Sequence, residues 1–159
     1  MKHLPKHLQP RWRYLAVGLD ASPDAHIDRA AFQRELWYGA QNLIGDTGSA
    51  TLDLSVLQFQ FDAGVGEALV RTRRGSVEQA RAVLACLQAV DGEPIGLRVR
   101  GVSGTVRACE EKYMGHGREK PEERTVVFAN GNRTAHVHND RVDVWVDGTV
   151  VGATTIDLE

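Results

Sequence analysis

The stretch GLRVRGVSGTVRACEEKYM, from Gly96 to Met114, decides the fold of this chain. Its first half alternates, with the apolar Leu97 and Val99 on one side and the charged Arg98 and Arg100 on the other. A period of two predicts a strand with one buried face. After a polar turn, apolar side chains recur at steps of three and four residues, which predicts a helix. The segment is therefore expected to pass directly from a strand into a helix.

The junction between this strand and helix has features of an anion site. Arg98 and Arg100 precede the turn, and the first N–H groups of a helix carry partial positive charge that attracts phosphate. The same residues are also typical of a capped strand and helix whose arginines are merely solvated. On physical grounds alone, that simpler interpretation is favoured.

Three more strands and two more helices are predicted before this stretch. The strands cover Trp12–Leu19, Leu54–Phe61 and Glu67–Arg73, and the helices run from Asp28 to about Leu43 and from Ser76 to about Asp91. The order β-α-β-β-α-β followed by a helix predicts an antiparallel sheet with two helices on one face. The fold class is therefore predicted as α+β, a ferredoxin-like or RRM-like α-β sandwich with a final helix.

Local signals predict where these elements begin and end. Asp28 is a typical N-cap, and Gly45 is expected to end the first helix, so that Asp46–Asp53 forms a loop. Ser76 begins a capping-box pattern at the second helix. On the second strand, alternation predicts that Leu57 faces the core.

The sheet face opposite the two helices is predicted to be open and basic. Alternation assigns to it Trp12, Tyr14, Gln58, Gln60, Arg71, Arg73, Arg98 and Arg100. The RNA-recognition motif uses such a face but stacks bases on strand aromatics, which the third strand lacks here. The run Arg71-Thr72-Arg73-Arg74 is the densest basic cluster. It is typical either of RNA contact or of a strand edge guarded by charge.

Beyond Gly115 the composition changes. Residues 1–11 are interpreted as a basic arm, 12–115 as the sandwich, 116–124 as a charged linker and 125–159 as a small C-terminal β appendage. Turns are predicted at Asn130-Gly131, Asn139-Asp140 and Asp147-Gly148. His136 and His138 would face the same way on one strand. They could ligate a metal, but a solvated strand face is the favoured interpretation.

Composition limits the possible functions. The net charge of -2 over 159 residues argues mildly against nucleic-acid binding, because most such domains are basic. Cys86 and Cys109 lack zinc-ligand spacing, so reduced thiols and a cytoplasmic location are expected. No apolar run is long enough to span a membrane. No nucleophile elbow, triad or acid/base pair is recognised, so no catalytic residue and no metal ligand is predicted.

Two end motifs resemble those of a known family. VSGTVRACEEKYM, which ends at Met114, and the N-terminal LPKHLQPRWRYLAV resemble the archaeal ribonuclease P protein component 2 family, over roughly residues 3–114. The resemblance implies the same α-β sandwich. It also implies a protein subunit of ribonuclease P, the ribonucleoprotein that removes the 5′ leader from precursor tRNA. The catalytic RNA would hold the Mg²⁺ ions, and the chain itself would bind no cofactor.

The resemblance also implies partners and a binding surface. The expected partners are ribonuclease P RNA, precursor tRNA and ribonuclease P protein component 3, with two copies of the chain per assembly and no membrane. Together with the basic pattern, it indicates as RNA-binding residues Arg11, Arg13, Arg71, Arg73, Arg74, Arg98, Arg100 and Lys112.

A function of a different class stays open. A ferredoxin-like small-molecule sensor or acyl-phosphate hydrolase would need an anion cradle at the start of the first helix. Asp28 at that position repels anions, and no glycine-rich loop precedes it. Copurification would separate the two functions, since only a ribonucleoprotein subunit should bring down RNA and a protein partner.

Overall fold

The computed structural model describes residues 4–115, 122–138 and 141–158. Within these ranges the chain forms β1 Trp12–Ala21, α1 Arg29–Leu52, β2 Ser55–Asp62, β3 Val65–Arg73, α2 Val77–Cys86, β4 Ala89–Val90, β5 Glu93–Ser103, α3 Val106–Tyr113, β6 Glu122–Phe128, β7 Gly131–His138, β8 Arg141–Val146 and β9 Thr149–Thr154. Most of the predicted linker and the predicted turn Asn139-Asp140 lie outside the described residues.

The first five strands form one antiparallel sheet in the order β2-β3-β1-β5-β4. The order β2-β3-β1-β5 is that of a ferredoxin-like sheet, so the predicted fold class is confirmed. The two-residue strand β4 was not predicted. The second helix ends at Cys86, before the expected Asp91-Gly92. That pair instead forms the β4–β5 turn, with φ of 48° and 81°.

The main core lies between this sheet and the helices α1 and α2. Leu15, Val17 and Leu19 of β1 point into it, as the alternation predicted. From the helices, Phe32, Leu36, Val83 and Leu84 are buried against them. The other face of β1 is therefore left for a different set of contacts.

Helix α1 does not end at Gly45 but kinks there and continues to Leu52. Gly45 has a φ of 74°, which glycine adopts without the steric penalty of a Cβ. Leu52 is fully buried, so core packing holds the extra turns in place. Asp28 caps the helix as predicted, because its side chain accepts a hydrogen bond from Ala31 N at 2.7 Å.

Two local predictions on β2 and α2 are wrong. The register of β2 shifts between Val56 and Gln58, and this bulge turns Leu57 outward, where it is exposed. Val56 fills the core position instead. Ser76 makes no capping hydrogen bond, because it ends a 3₁₀ turn that leads into α2 and lacks the extended backbone of an N-cap.

The last four strands form a second antiparallel sheet, β6-β7-β8-β9, called the C-terminal sheet below. It has its own apolar cluster of Val126, Ala135, Val142 and Val144, so the expected β appendage is confirmed. Its first strand begins at Glu122, three residues before the expected start. The first turn consists of Ala129-Asn130, both with positive φ, and Gly131 opens β7.

The sheet face opposite α1 and α2 is not open, which corrects the prediction. Helix α3 packs across it, and Cys109 is buried against Ala16 and Leu69. A Cβ on Gly101 would lie 2.3 Å from the ring of Tyr113, so glycine permits this close approach. Alternation identifies which residues share a face but not what covers that face. Among the described residues no helix is long and apolar enough to cross a membrane.

Candidate nucleic-acid interface

All but Arg100 of the predicted RNA-binding arginines of the sheet fall into two regions. The first, here called the clasp, joins the sheet to the C-terminal sheet and consists of Asp20, Arg98, His138 and Asp143. The second, here called the basic end, lies where β1 begins and β3 ends and consists of Arg11, Arg13, Arg71, Arg73 and Arg74.

Short polar contacts connect the four side chains of the clasp. Arg98 Nη1 lies 2.6 Å from Asp20 Oδ2 and 3.5 Å from Asp143 Oδ2. His138 Nε2 lies 2.7 Å from the same Asp20 oxygen and 3.6 Å from Asp143 Oδ2. A Cβ on Gly96 would lie 3.2 Å from Asp143, so the C-terminal sheet rests directly on β5. Arg98 therefore holds two sheets together.

The two carboxyl groups of the clasp have opposite pKa shifts. Burial alone would raise the pKa of Asp20, but His138, Asp143 and Arg98 lower it well below its usual value. Burial, with the hydrogen bond and the like charge of Asp20, raises the pKa of Asp143 to about 6. Asp20 therefore stays ionised opposite Arg98 when Asp143 takes up a proton near pH 6.

The clasp brings together three possible metal ligands, from Asp20, His138 and Asp143, within 4.8 Å of one another. However, Arg98 Nη2 lies 3.4 Å from His138 Nδ1. A guanidinium only donates, so Nδ1 is the acceptor in this contact. The positive guanidinium of Arg98 also lies 2.6 Å from the Asp20 carboxylate and 3.5 Å from that of Asp143, where it would repel a metal cation. The clasp fits an ion-pair network better than a metal site.

The two histidines of β7 do not lie on a solvated face, which corrects that interpretation. The side chains of His136 and His138 are only 7% and 14% exposed. His136 packs against Trp145, with ring centroids 4.4 Å apart, and burial lowers its pKa. Both rings belong to the buried junction of the two sheets.

Arg100 lies between the two regions and is also engaged. It forms an ion pair with Glu67, whose carboxylate also accepts from Gly115 N at 3.2 Å. The Arg100 guanidinium lies over Gly18, where a Cβ would be 3.1 Å from Nε. Arg98 and Arg100, expected on an open basic face, thus make largely buried ion pairs within the fold.

The basic end is built around Trp12. The guanidinium carbons of Arg71 and Arg73 lie 3.9 and 4.1 Å from the centre of its ring, a cation–π arrangement. Arg73 also forms an ion pair with Asp53, at 3.0 Å. In the described part of the chain Arg71 has no carboxylate partner, and its Nε is buried without an acceptor.

The remaining predicted residues differ in exposure. Arg11 and Arg74 are exposed and adjacent, because Arg74 N donates to the Arg11 carbonyl at 3.0 Å. Arg13 is half-buried and donates to the Trp12 carbonyl. Lys112 is exposed on α3 and lies 5.6 Å from the Tyr113 ring. Over the described ranges, none of these four forms an ion pair.

Sequence reasoning missed the acidic members of the clasp. Asp20 and Asp143 contact residues far away in the chain, which no local pattern reports. One signal was present, since a charged Asp20 follows the apolar run of β1 in a position that should be buried.

Comparisons with known proteins identify the family to which the chain is similar. The sequence model described as "Rpp14/Pop5 family" matches residues 13–114. Ribonuclease P protein component 2 of Natronomonas pharaonis is 66% identical over 158 residues, 99% of this chain and 98% of that protein. Its counterpart in Haloarcula marismortui is 59% identical and covers 99% of each chain. That of Methanosarcina mazei is 34% identical over 114 residues, 72% of this chain and 93% of that protein.

Proposed function

Because this chain belongs to the Rpp14/Pop5 family, we propose that it is a protein subunit of ribonuclease P, the ribonucleoprotein that removes the 5′ leader from precursor tRNA. The observation that carries the proposal is similarity over the whole chain. Relatives named ribonuclease P protein component 2 match 99% of its length at 59–66% identity. The proposed location is the cytoplasm, where thiols are kept reduced, and this agrees with the free cysteines Cys86 and Cys109.

In this proposal the chain supports catalysis without performing it. The RNA holds the Mg²⁺ ions and cleaves the substrate, and the chain binds no cofactor. The state of its reactive groups supports this role. Asp20 and Glu67 are committed to ion pairs with Arg98 and Arg100. Burial, with a smaller contribution from the charge of Glu110, raises the pKa of Cys109 to about 11, so that thiol is protonated at neutral pH.

RNA contact is assigned here to the basic end, with Lys112 as a separate contact. Positive side chains reduce the repulsion between phosphates that a folded RNA brings together. Arg11, Arg13 and Arg74 are suited to this because no carboxylate neutralises them among the residues described. Arg98 and Arg100 are assigned to holding the fold, since each already has a carboxylate partner.

The proposed partners are the ribonuclease P RNA, precursor tRNA and ribonuclease P protein component 3, with two copies of the chain per assembly. The protein partner is proposed from the family. Helix α1 carries three large and roughly half-exposed side chains, Trp37, Tyr38 and Leu43, but their spacing puts them at different angles around the helix and not in one patch.

The alternative, a small-molecule sensor or acyl-phosphate hydrolase, is disfavoured by the start of α1. Its N–H groups would have to hold the anion, but Asp28 already accepts from Ala31 N. Asp62 also lines the cleft beside this helix start. Two carboxyl groups make that cleft unsuitable for an acyl phosphate.

Affinity purification of the tagged full chain from its own host tests the proposal. We expect the ribonuclease P RNA and protein component 3 in the eluate. In reconstitution, adding the chain should lower the Mg²⁺ concentration needed for leader removal. An eluate that contains the chain but no ribonuclease P RNA would contradict the proposal. The proposal would also be contradicted if the RNA-free chain cleaved precursor tRNA and lost that activity when one of its acidic residues was substituted.

A further inference from the structure

Arg71 differs from the other arginines on its sheet face. Arg73, Arg98 and Arg100 each pair with a carboxylate, from Asp53, Asp20 and Glu67 respectively. Arg71 has no such partner within the ranges the structure describes, and its Nε is buried without an acceptor. Among the described residues of this sheet face, Arg71 is therefore the arginine that has neither a carboxylate for its charge nor an acceptor for its Nε–H.

A buried donor without an acceptor is unfavourable, because its hydrogen bond to water has been lost and not replaced. Because Nε itself is covered, an anion arriving at Arg71 would bond to the terminal Nη groups and balance the charge there. Phosphate oxygens suit this site, since the guanidinium fork matches their geometry with two parallel hydrogen bonds.

Trp12 positions the guanidinium for such a ligand. Arg71 Cζ lies 3.9 Å from the centre of the Trp12 ring. Stacking occupies the flat face of the guanidinium, while its N–H groups radiate in the plane and remain able to bond. The ring also restricts a flexible side chain before binding, which reduces the entropy lost when the ligand arrives.

Two further arginines add charge at the same end of the sheet. Arg74 follows β3 directly, and its backbone N–H bonds to the carbonyl of Arg11, which precedes β1. Both side chains are exposed. An extended phosphate backbone that binds Arg71 can therefore also reach positive charge at the same end of the sheet.

We propose that Arg71, positioned by Trp12 and flanked by Arg11 and Arg74, binds a phosphate group of the RNA backbone. The choice of RNA as the source of the phosphate rests on the proposed function. The phosphate site itself rests only on the contacts and charges of the basic end.

Salt-dependent binding of the full chain to transcribed ribonuclease P RNA tests the site. Arg71→Gln should make the slope of log K against log salt shallower by about one unit, because one phosphate contact is lost. Arg71→Lys should keep the slope and weaken binding several-fold, because an ammonium keeps the charge but lacks the fork. Arg81→Gln is the matched control. It removes the same charge from an exposed position on α2 and should behave as wild type.

Trp12 is tested as a positioning residue. Trp12→Leu should weaken RNA binding and make the slope shallower, whereas Trp12→Phe, which keeps an aromatic face, should restore both. A purely structural role would lower thermal stability in both variants without separating their salt slopes.

A titration with inorganic phosphate, followed through the NMR resonance of the Arg71 Nε–H, shows whether free phosphate binds at this site. Compared with the salt slopes, it separates free phosphate from the RNA backbone as the ligand. A shift with phosphate together with a shallower Arg71→Gln slope supports the RNA contact. A shift with an unchanged slope overturns it in favour of free phosphate. No shift and an unchanged slope overturn the site altogether. If wild type binds phosphate here but not the RNA, the proposed function fails and the phosphate site stands.

Discussion

Burial makes Cys109 a poor nucleophile. Its side chain lies under α3, with Sγ 3.6 Å from the Tyr14 carbonyl, and burial raises its pKa from 9.0 to about 11. Since the raised pKa disfavours the thiolate in the native state, native stability from this group is present below pH 9. It is lost as the pH rises towards 11.

We therefore expect iodoacetamide at pH 8 to label the exposed Cys86 of the native chain and to leave Cys109 unmodified. Mass spectrometry of the peptides would measure this, with guanidinium-unfolded chain as the control in which both thiols react. Equal labelling of both cysteines in native protein would contradict the buried position of Cys109.

Gly101 controls how closely α3 approaches the sheet. Gly101→Ala would place a Cβ 2.3 Å from Tyr113 ring atoms, so the helix must shift. We expect a loss of about 1–3 kcal/mol in the free energy of unfolding, as for other overpacked cores. Urea unfolding measures the loss. Gly152→Ala is the matched strand control, because nothing lies within 4 Å of its Cβ position. Equal effects of the two changes would contradict the close approach.

At the scale of elements, the kink in α1 depends on one glycine. The backbone of Gly45 has a φ of 74° although its Cβ position meets nothing within 4 Å. A substitution there is therefore strained by conformation and not by contact. A change in stability on substituting Gly45 therefore measures the cost of the backbone conformation, without a contribution from side-chain packing.

We expect Gly45→Ala to lower the free energy of unfolding by about 1–3 kcal/mol, the cost of placing a residue with a Cβ at φ 74° and ψ 175°, a backbone region that essentially only glycine adopts. Gly75→Ala, at an exposed glycine without positive φ and with open space around it, is the control and should change little. A Gly45→Ala chain as stable as wild type would indicate that α1 straightens at this position.

At the scale of the whole molecule, the clasp joins the two sheets. The side chains of Asp20 and Arg98 are 0% and 16% exposed, so their pairing is protected from solvent. Removing one partner of a buried pair is strongly destabilising because the other charge is left buried. A truncation after Gly115 would remove His138 and Asp143 and open this region to water.

Arg98→Gln in the full chain should therefore lower the free energy of unfolding by about 3–5 kcal/mol. In the truncated chain we expect a clearly smaller loss, because water can reach Asp20 once the C-terminal sheet is gone. Chemical denaturation of the full-length and truncated chains, each with and without Arg98→Gln, measures this difference. Arg107→Gln, which removes an exposed helical pair with Glu111, should cost about 0.5 kcal/mol or less. Equal losses in both chain lengths would show that the C-terminal sheet does not bury the pair.

What the sequence by itself determined is the order of the elements and the family. Alternation on β1 and β5, helical spacing on α3 and the N-cap at Asp28 are all properties of residues close together in the chain. Local stereochemistry expresses such patterns directly, so the ferredoxin-like sheet and the C-terminal strands could be predicted. The set of basic residues was likewise visible from local spacing.

What only the tertiary structure decided is which of those basic residues remain unmatched. Asp20 and Arg98 are 78 positions apart, and Glu67 and Arg100 are 33 apart, so no local pattern could pair them. Alternation assigned Arg71, Arg98 and Arg100 to one face but could not show that α3 and the C-terminal sheet cover much of it. The charge of a side chain is a property of its residue type. Its availability depends on the carboxylates that folding brings beside it, and folding leaves Arg71 without one in the part of the chain described.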